Sequence, residues 1–403
     1  MYIITLEKNY IYNGAILIKG AFIQAIGKKK KIMSSFPDEP VKDIGEAIIF
    51  PGFINAHTHL QFSKVKISST PVSFTEWLPK MIAINNRFTL SDWKKSTNYG
   101  IKKLTGTGIT ALADISRSKT SFKALASYPY HSLIFYEVIA PDEPYIKKIL
   151  KDIRKKIILK DKSKINIGVS PHALYCLSLS TLKQISSFAK KYSIPVMIHV
   201  SETKEEMELI DRGTGYLKEL MTKRGLKIKY GYKKTPVEIL AENGILNSDT
   251  IIVHGVHLTK QDLSLLKYYN ASVVLCPKSN KFLKTGTAPV RDLFNTGITL
   301  ALGTDSLASN DSFNMFEEMH EVKKIYNKIH NKDLLKMATL NGAKALNISA
   351  SLGSLSTGKF ADINAVKIKK TKKFDPYQYL CEETNIEDIS LTMIRGKIFY
   401  SKT

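Results

Sequence analysis

The chain has 403 residues, 43% of them hydrophobic and 24% charged, a composition that is ordinary for a globular protein and excludes a disordered or fibrous chain. Its formal net charge of +24 would suit nucleic acid, but the lysines are scattered without a reading helix or interleaved aromatic residues, so we expect a solvated basic surface and no nucleic-acid partner. Three widely spaced cysteines exclude a disulfide framework, and the lack of a signal peptide or a long apolar run predicts a cytoplasmic protein without membrane contact.

The two ends of the chain are typical of short strands and turns. Stretches such as AILIKG and AFIQAIG precede residue 50, and GKFADINAVKI and ISLTMIRGKIFYS follow residue 353. Neither end is long enough to bury a core of its own. We therefore expect residues 1–50 and 353–403 to pair into one small β-sandwich.

Residues 51–352 alternate short apolar strands with sequence that is compatible with helices. Beginning with a strand at 48–55, eight candidates follow one another, and the other seven are GITALADIS, SLIFYEVIA, KINIGVSPH, IPVMIHVSE, TIIVHGVHL, ASVVLCPKS and GITLALGTD. Eight strands with intervening helices predict an α/β protein with a parallel (β/α)₈ TIM barrel as its catalytic domain.

The first of these strands ends in two histidines, His57 and His59, separated by one residue. Residues i and i+2 of a strand point to the same face, so the two imidazoles would lie side by side and offer half of a divalent metal site. A short motif of this kind also arises by chance, and a hydrogen-bonded core histidine remains an alternative at this point.

Side chains with metal-binding or acid–base chemistry also follow the other strands. They are Asp114, Glu137, His172, His199, His254 and Asp305. Alone, His199 would more often be a buried core histidine and Asp305 a helix N-cap. The C-terminal ends of barrel strands meet at one rim, where His57, His59, His199 and Asp305 can form a His₃Asp site with room for water, as a catalytic metal requires.

Taken in order, the motifs PGFINAHTHL, SPHALYC, HVSET, VHGVHL, LGTDSLASND and GKFADINAV resemble the amidohydrolase superfamily, in its cytosine deaminase-like and chlorohydrolase-like branch. The resemblance implies a single divalent ion per chain, zinc or iron, held by His57, His59, His199 and Asp305. The fourth strand ends in SPH rather than in a lysine, so no second, bridged ion is expected.

The same resemblance assigns roles to the neighbouring residues. Glu202 matches a proton shuttle to a ring nitrogen of the substrate, and His254 matches a histidine that orients the attacking water. Asp305 can accept a proton from that water as well as bind the ion. His172 matches a position that hydrogen-bonds a purine ring nitrogen, with a buried structural histidine as the alternative.

The segment FTEWLPKMIAINNRFTL at 74–90 resembles the loop that holds the ribose in nucleoside deaminases of this branch. Trp77 matches a tryptophan there, Asn85 stands where those enzymes have a glutamate, and Ser309 matches a further serine that contacts the substrate. The expected activity is deamination of aminodeoxyfutalosine in the alternative menaquinone pathway, with S-adenosylhomocysteine or 5′-methylthioadenosine as the alternative substrate.

A distal carboxylate distinguishes the first two of these nucleosides from the third, and Arg117, just beyond the second strand, is a candidate partner for it. A solvated loop arginine is the alternative. A catalytically inactive scaffold would lack a metal ligand or Glu202, and all of these are present. Dechlorination or guanine deamination would use the same metal site with a different pocket. The sequence leaves open whether the chain forms a homo-oligomer.

Overall fold

The computed structural model describes residues 1–117, 120–139, 143–158, 165–226, 228–369 and 374–402. The strands are β1 Tyr2–Ile3, β2 Ile11–Tyr12, β3 Gly14–Lys19, β4 Phe22–Lys28, β5 Ala47–Pro51, β6 Phe53–Thr58, β7 Ile109–Ser116, β8 His131–Val138, β9 Ile165–Pro171, β10 Val196–Val200, β11 Thr250–His254, β12 Ser272–Leu275, β13 Leu300–Leu302, β14 Ile363–Lys367, β15 Ile389–Ile394 and β16 Lys397–Ser401.

The helices lie between and after these strands. They are α1 Lys29–Ser35, α2 Phe74–Arg87, α3 Leu90–Lys103, α4 Thr120–Leu125, α5 Glu143–Ile158, α6 Leu179–Tyr192, α7 Lys204–Arg212, α8 Tyr216–Lys223, α9 Pro236–Glu242, α10 Lys260–Tyr268, α11 Pro277–Phe282, α12 Val290–Thr296, α13 Met315–Ile325, α14 Asn331–Met337, α15 Leu340–Ala345 and α16 Pro376–Gln378. None of the helices in the described part of the chain combines the length and the apolar character that a membrane span needs.

Eight parallel strands, β6 to β13, follow one another in sequence order around a barrel. The last strand returns to the first, because the backbone N–H groups of Thr304 and Asp305 both donate to the carbonyl oxygen of His57, at 3.1 Å each. The Thr58 hydroxyl adds a bond to the Asp305 carbonyl oxygen at 2.9 Å. The predicted (β/α)₈ barrel is confirmed, and its closure brings the first and eighth strand ends together.

The remaining strands form a sheet that draws on both ends of the chain, in the order β16-β15-β14-β5-β1-β2, beside the two-stranded hairpin β3-β4. Side chains from both ends share one apolar cluster, which includes Ile3, Ile23, Ile49, Ile363 and Leu391. The division of the chain into residues 1–50 plus 353–403 and residues 51–352 stays a prediction.

The strand predicted at 48–55 is wrong as a single element, because the chain forms β5 in the terminal sheet and β6 in the barrel. Gly52 separates the two, and its N–H donates to the carbonyl oxygen of Asp362 at 3.0 Å. A Cβ at this position would lie 2.2 Å from the Thr110 hydroxyl oxygen. The apolar run is continuous because both sheets bury their faces, which hides the break from a reading of hydrophobicity.

A methyl group at Gly303 is expected to push the end of β13 away from β6, where the barrel closes. Its Cβ would lie 2.7 Å from the Cβ of His57 and 2.9 Å from the His57 backbone nitrogen and oxygen. We expect Gly303→Ala to lower the free energy of unfolding by about 1–3 kcal/mol, measured by denaturant titration. Gly27→Ala is the control, because its nearest neighbour would be an Ile32 side-chain atom at 3.6 Å. Equal stability of the two variants would contradict the close packing at Gly303.

Candidate active site

Three histidines and an aspartate meet at the C-terminal rim of the barrel. A nitrogen atom from each of His57, His59 and His199 lies within 4.8 Å of the other two. Asp305 Oδ1 lies 3.5 Å from His57 Nε2 and 3.6 Å from His59 Nε2. Since His59 and His199 are 140 residues apart, the barrel itself assembles this cluster.

The protonation of these groups fits a divalent cation. The Nδ1–H of His199 donates to the carbonyl oxygen of His172 at 2.8 Å, which leaves Nε2 as the free ligand atom. The Nε2 atom of His57 is buried and has no hydrogen-bond partner among the described residues. Burial lowers the pKa of His59 to about 4, so its imidazole is neutral near pH 7. Neutral imidazoles with a carboxylate are a donor set for zinc or iron.

Asp305 is held by neighbours on two sides. Its Oδ2 accepts from the hydroxyls of Ser279 and Ser309, each at 2.7 Å. Burial works against the ionised carboxylate, but the contact with His57 and the nearby His59 hold the pKa of Asp305 well below its usual value. The carboxylate is therefore ionised and can accept a proton or bind a cation.

Glu202 and His254 face each other beside this cluster. Glu202 Oε1 lies 3.6 Å from His254 Nε2. Burial raises the pKa of the Glu202 carboxyl to about 8, and the negative charge of Asp305 acts in the same direction. The Nδ1–H of His254 donates to Asn280 Oδ1 at 2.9 Å, which leaves Nε2 as an acceptor. The pair thus offers an acid that is protonated at neutral pH next to a neutral base.

A cavity of about 910 Å³, including its opening to solvent, lies over the cluster. Of the predicted site residues, His59, His199, Glu202, His254, Asp305, Trp77, Asn85, Arg117 and His172 line it. Most of its other walls are apolar, with side chains such as Phe74, Leu78 and Met81. Such a cavity with a few convergent polar groups is the usual form of a small-molecule site.

Two predicted substrate contacts have their own partners in the wall. The indole N–H of Trp77 donates to the carbonyl oxygen of Ala308 at 2.8 Å, which fixes the ring against the cavity. His172 Nδ1 lies 2.9 Å from Glu137 Oε1. Burial opposes ionisation of Glu137, but the contact with His172 brings the pKa of this carboxyl to about 2.

The position of Ser309 differs from the predicted substrate contact. Its side chain is fully buried, and its hydroxyl donates to Asp305. The neighbouring Ser306, and not Ser309, is among the described residues that line the cavity. The structure therefore places Ser309 behind Asp305.

Reasoning from the sequence missed two residues at this site. Arg224, just after α8, lines the cavity together with Arg117, but it follows no strand and has no motif around it. Glu206 is buried beneath Glu202, and its carboxylate accepts from the Glu202 N–H at 2.8 Å. The spacing HxxExxxE contains it, but nothing in that spacing distinguishes it from the neighbouring Glu205.

The chain is similar to known proteins over most of its length. The model of the amidohydrolase family matches residues 48–399. A 5-methylthioadenosine/S-adenosylhomocysteine deaminase of Thermoanaerobacter pseudethanolicus is 33% identical, over 97% of this chain and 90% of the relative. An adenosine deaminase from Xanthomonas campestris, solved with bound zinc, has a TM-score of 0.87 at 22% identity, over 99% of this chain and 91% of the other.

A second solved structure is similar over nearly the whole of both chains. The aminofutalosine deaminase of Helicobacter pylori, in complex with methylthio-coformycin, has a TM-score of 0.86 at 21% identity, and the match covers 99% of this chain and 98% of that one. At this identity the likeness concerns the fold.

Proposed function

The chain belongs to the amidohydrolase family and is a hydrolytic deaminase, and on this premise we propose that it uses one divalent metal ion to remove the amino group of an adenine nucleoside. The observation that carries the proposal is the position of Glu202 and His254 beside the three histidines and Asp305, at the bottom of an apolar cavity. In the net reaction, water adds to C6 of the adenine, the C6–NH₂ bond breaks, and the products are the 6-oxopurine and ammonia.

The proposed ligands of the ion are His57, His59, His199 and Asp305. A divalent ion held by these residues would act as a Lewis acid and make water a better nucleophile near neutral pH. A His₃Asp set suits zinc and iron equally, so elemental analysis of the purified protein decides between them.

The side chains supply the proton transfers. Glu202, with a pKa of about 8, is protonated near pH 7 and can give its proton to a ring nitrogen of the adenine. Asp305 is ionised and can take a proton from water. His254 accepts through Nε2 and can orient that water. His172, at the cavity wall beside Glu137, is placed to contact the purine ring.

Among adenine nucleosides we favour aminodeoxyfutalosine, which carries an aromatic carboxylate. Two arginines, Arg117 and Arg224, line the cavity, and neither forms an ion pair with a carboxylate of the described residues. Both guanidinium groups act on the buried Cys176 thiol, where burial raises the pKa and the two positive charges oppose that rise. The charge of Arg117 also helps to lower the pKa of the Glu137 carboxyl, whereas Arg224 is not among the causes of that shift. A carboxylate on the substrate would complement these charges, and the apolar wall suits an aryl group.

S-Adenosylhomocysteine and 5′-methylthioadenosine are the second candidates. They are favoured by the similarity to the relative from Thermoanaerobacter pseudethanolicus, which is a deaminase of these two nucleosides. Asn85 at the cavity wall can donate and accept hydrogen bonds to ribose hydroxyls in all three cases.

Removal of either arginine is expected to separate these substrates. We expect Arg117→Ala and Arg224→Ala each to lower kcat/KM for aminodeoxyfutalosine and S-adenosylhomocysteine by about tenfold or more, since a charged hydrogen bond contributes roughly 1.5–3 kcal/mol. Turnover of 5′-methylthioadenosine, which has no carboxylate, should hardly change. Ammonia release from the three nucleosides measures the effect.

Arg212→Ala is the matched control, because Arg212 is an exposed arginine at the end of α7 that pairs with Asp211. An equal loss of kcat/KM on all three nucleosides would point to general damage to the site. An unchanged kcat/KM would show that the two arginines do not bind the carboxylate of the substrate. A wild-type preference for 5′-methylthioadenosine over both acids would overturn the aminodeoxyfutalosine proposal.

A further inference from the structure

We propose that Glu206, on α7, is a positioning residue that holds Glu202 in the orientation it needs for proton transfer, a role that rests on the deaminase function proposed above. Glu206 does not line the cavity. Its side chain is fully buried beneath the turn that joins β10 to α7, with 1% of the residue exposed. It acts on the reaction only through Glu202.

The two carboxylate oxygens of Glu206 hold two successive backbone N–H groups. Oε1 accepts from the Ser201 N–H at 3.0 Å, and Oε2 accepts from the Glu202 N–H at 2.8 Å. These groups immediately follow the last residue of β10, Val200. One carboxylate therefore fixes the orientation of both peptide planes that lead into Glu202.

The turn that Glu206 holds is a strained one. Ser201 has a φ of +54°, in the left-handed region that a residue other than glycine, asparagine or aspartate rarely adopts. Such a conformation persists only where its surroundings enforce it, and it is common where a side chain must be aimed at a reacting group. The hydrogen bonds from the Ser201 and Glu202 N–H groups to Glu206 help to hold the turn in this conformation.

The same turn is tied to the loop that follows His254, the last residue of β11. The Ser201 carbonyl oxygen accepts from the His257 N–H at 2.9 Å, and the Val200 carbonyl oxygen accepts from the Gly255 N–H at 3.1 Å. A movement of the Ser201 turn would therefore change the distance of 3.6 Å between Glu202 Oε1 and His254 Nε2.

The capping pattern of α7 shows that this arrangement departs from the ordinary one. Four other helices among the described residues, α2, α3, α9 and α10, begin with a capping box, in which the acidic residue at N3 accepts from the N–H of the N-cap residue. In α7 the N-cap is Thr203 and the N3 residue is Glu206, whose own N–H donates to the Thr203 hydroxyl at 3.0 Å. The Glu206 carboxylate, however, accepts from the N–H groups of Ser201 and Glu202, the two residues before the N-cap, instead of from the Thr203 N–H.

A glutamate suits this position better than its amide. Glutamine offers one oxygen and one NH₂ group, so one of the two buried N–H groups would face another donor and lose its acceptor. Burial raises the pKa of the Glu206 carboxyl to about 8, while the bonds from the Glu202 and Ser201 N–H groups lower it. Because both oxygens accept from N–H groups, and because the first turn of a helix favours a negative charge, the ionised carboxylate is the form that fits this position. Glu206→Gln is therefore the smallest change that breaks half of the clamp and keeps the volume of the side chain.

The test compares Glu206→Gln with two control variants of the full-length, metal-loaded protein. Asp262→Asn alters a fully buried N3 carboxylate of an ordinary capping box, which accepts from the Thr259 N–H at 2.8 Å. Glu205→Gln removes the neighbouring negative charge in the first turn of α7. The measured quantities are kcat and KM for the best adenine nucleoside, metal content and melting temperature.

We expect Glu206→Gln to lower kcat by about 100-fold, the effect of a displacement of roughly 1 Å in a reacting group, with KM and metal content unchanged. Asp262→Asn should have a lower melting temperature than the wild type but the same kcat. Glu205→Gln should have the melting temperature and the kcat of the wild type. Wild-type kcat in Glu206→Gln would overturn the proposal, as would a loss of kcat that Asp262→Asn shares in proportion to its lost stability.

The assays are run at a temperature at which circular dichroism shows native structure, and Glu206→Asp, which keeps the charge but withdraws both oxygens, is the second variant. If neither variant folds at any temperature, Glu206 is required for folding and the specific role is wrong. If the wild-type protein releases no ammonia from any adenine nucleoside, the proposed function fails instead, so the two failures are distinguishable.

Discussion

Replacing Glu202 by glutamine is expected to lower kcat by about 10⁴-fold, the upper end of what a general acid or base contributes, while the metal content stays unchanged. Glutamine has nearly the same shape but can neither release nor take up a proton at neutral pH. Glu202 is suited to this transfer because burial and the nearby Asp305 raise its pKa to about 8. Ammonia release and elemental analysis on the same preparation measure both effects.

The pH dependence provides a second measurement of the same role. If the protonated carboxyl of Glu202 is the proton donor, the rate should fall as the pH rises through the pKa of this carboxyl, because the carboxyl then loses its proton. A divalent ion in the site would lower this pKa, so the alkaline limb should lie at or below about 8. The residual activity of the glutamine variant should lack this limb. A rate near that of the wild type in this variant, with metal bound, would show that another group carries the proton.

Replacing His199 by alanine is expected to remove both the metal and the activity. His199 Nε2 lies 3.4 Å from His59 Nε2 at the centre of the cluster, and its ring is fixed by the bond from Nδ1 to the His172 carbonyl oxygen. A site reduced to two histidines and a carboxylate loses the ligand that comes from the opposite side of the barrel. Metal per chain, by elemental analysis after dialysis, and ammonia release should both fall to background.

His330→Ala is the control for this variant, because His330 is exposed and its side chain does not cap the helix that follows it. It should keep its metal and its turnover. Full metal occupancy in His199→Ala would remove His199 from the ligand set and with it the proposed arrangement of the centre.

Much of the fold could be predicted because barrel strands are buried on both faces. Runs such as SLIFYEV and TIIVH place apolar residues at consecutive positions, and each proved to lie in a strand, β8 and β11. On β8, Leu133 and Phe135 belong to one buried cluster and Ile134 to another, so both faces of this strand are buried in apolar surroundings. The same property hid the break at Gly52, because two strands of different sheets form one apolar run.

The candidate site was predictable to the extent that its residues follow strands. His199, Glu202 and Asp305 could be located because parallel strands bring their C-terminal ends to one rim. Arg224 could not, because it follows a helix and reaches the cavity only through the packing of α8. Ser309 was expected at the substrate and lies instead behind Asp305, because the loop after β13 turns its hydroxyl toward the Asp305 carboxylate.

The sequence by itself determined most of the strand segments, that the proposed catalytic side chains lie at or just past the C-terminal ends of strands, and that two histidines share one face, because these depend on the local alternation of side chains along the chain. Only the tertiary structure decided the distances and the protonation states. The closure of β13 against β6 brings Asp305 to His57, and burial raises the pKa of Glu202 to about 8. The packing of α7 under the Ser201 turn then gives Glu206 two N–H groups to hold. Each of these depends on residues far apart in the chain, whose mutual burial no local pattern encodes.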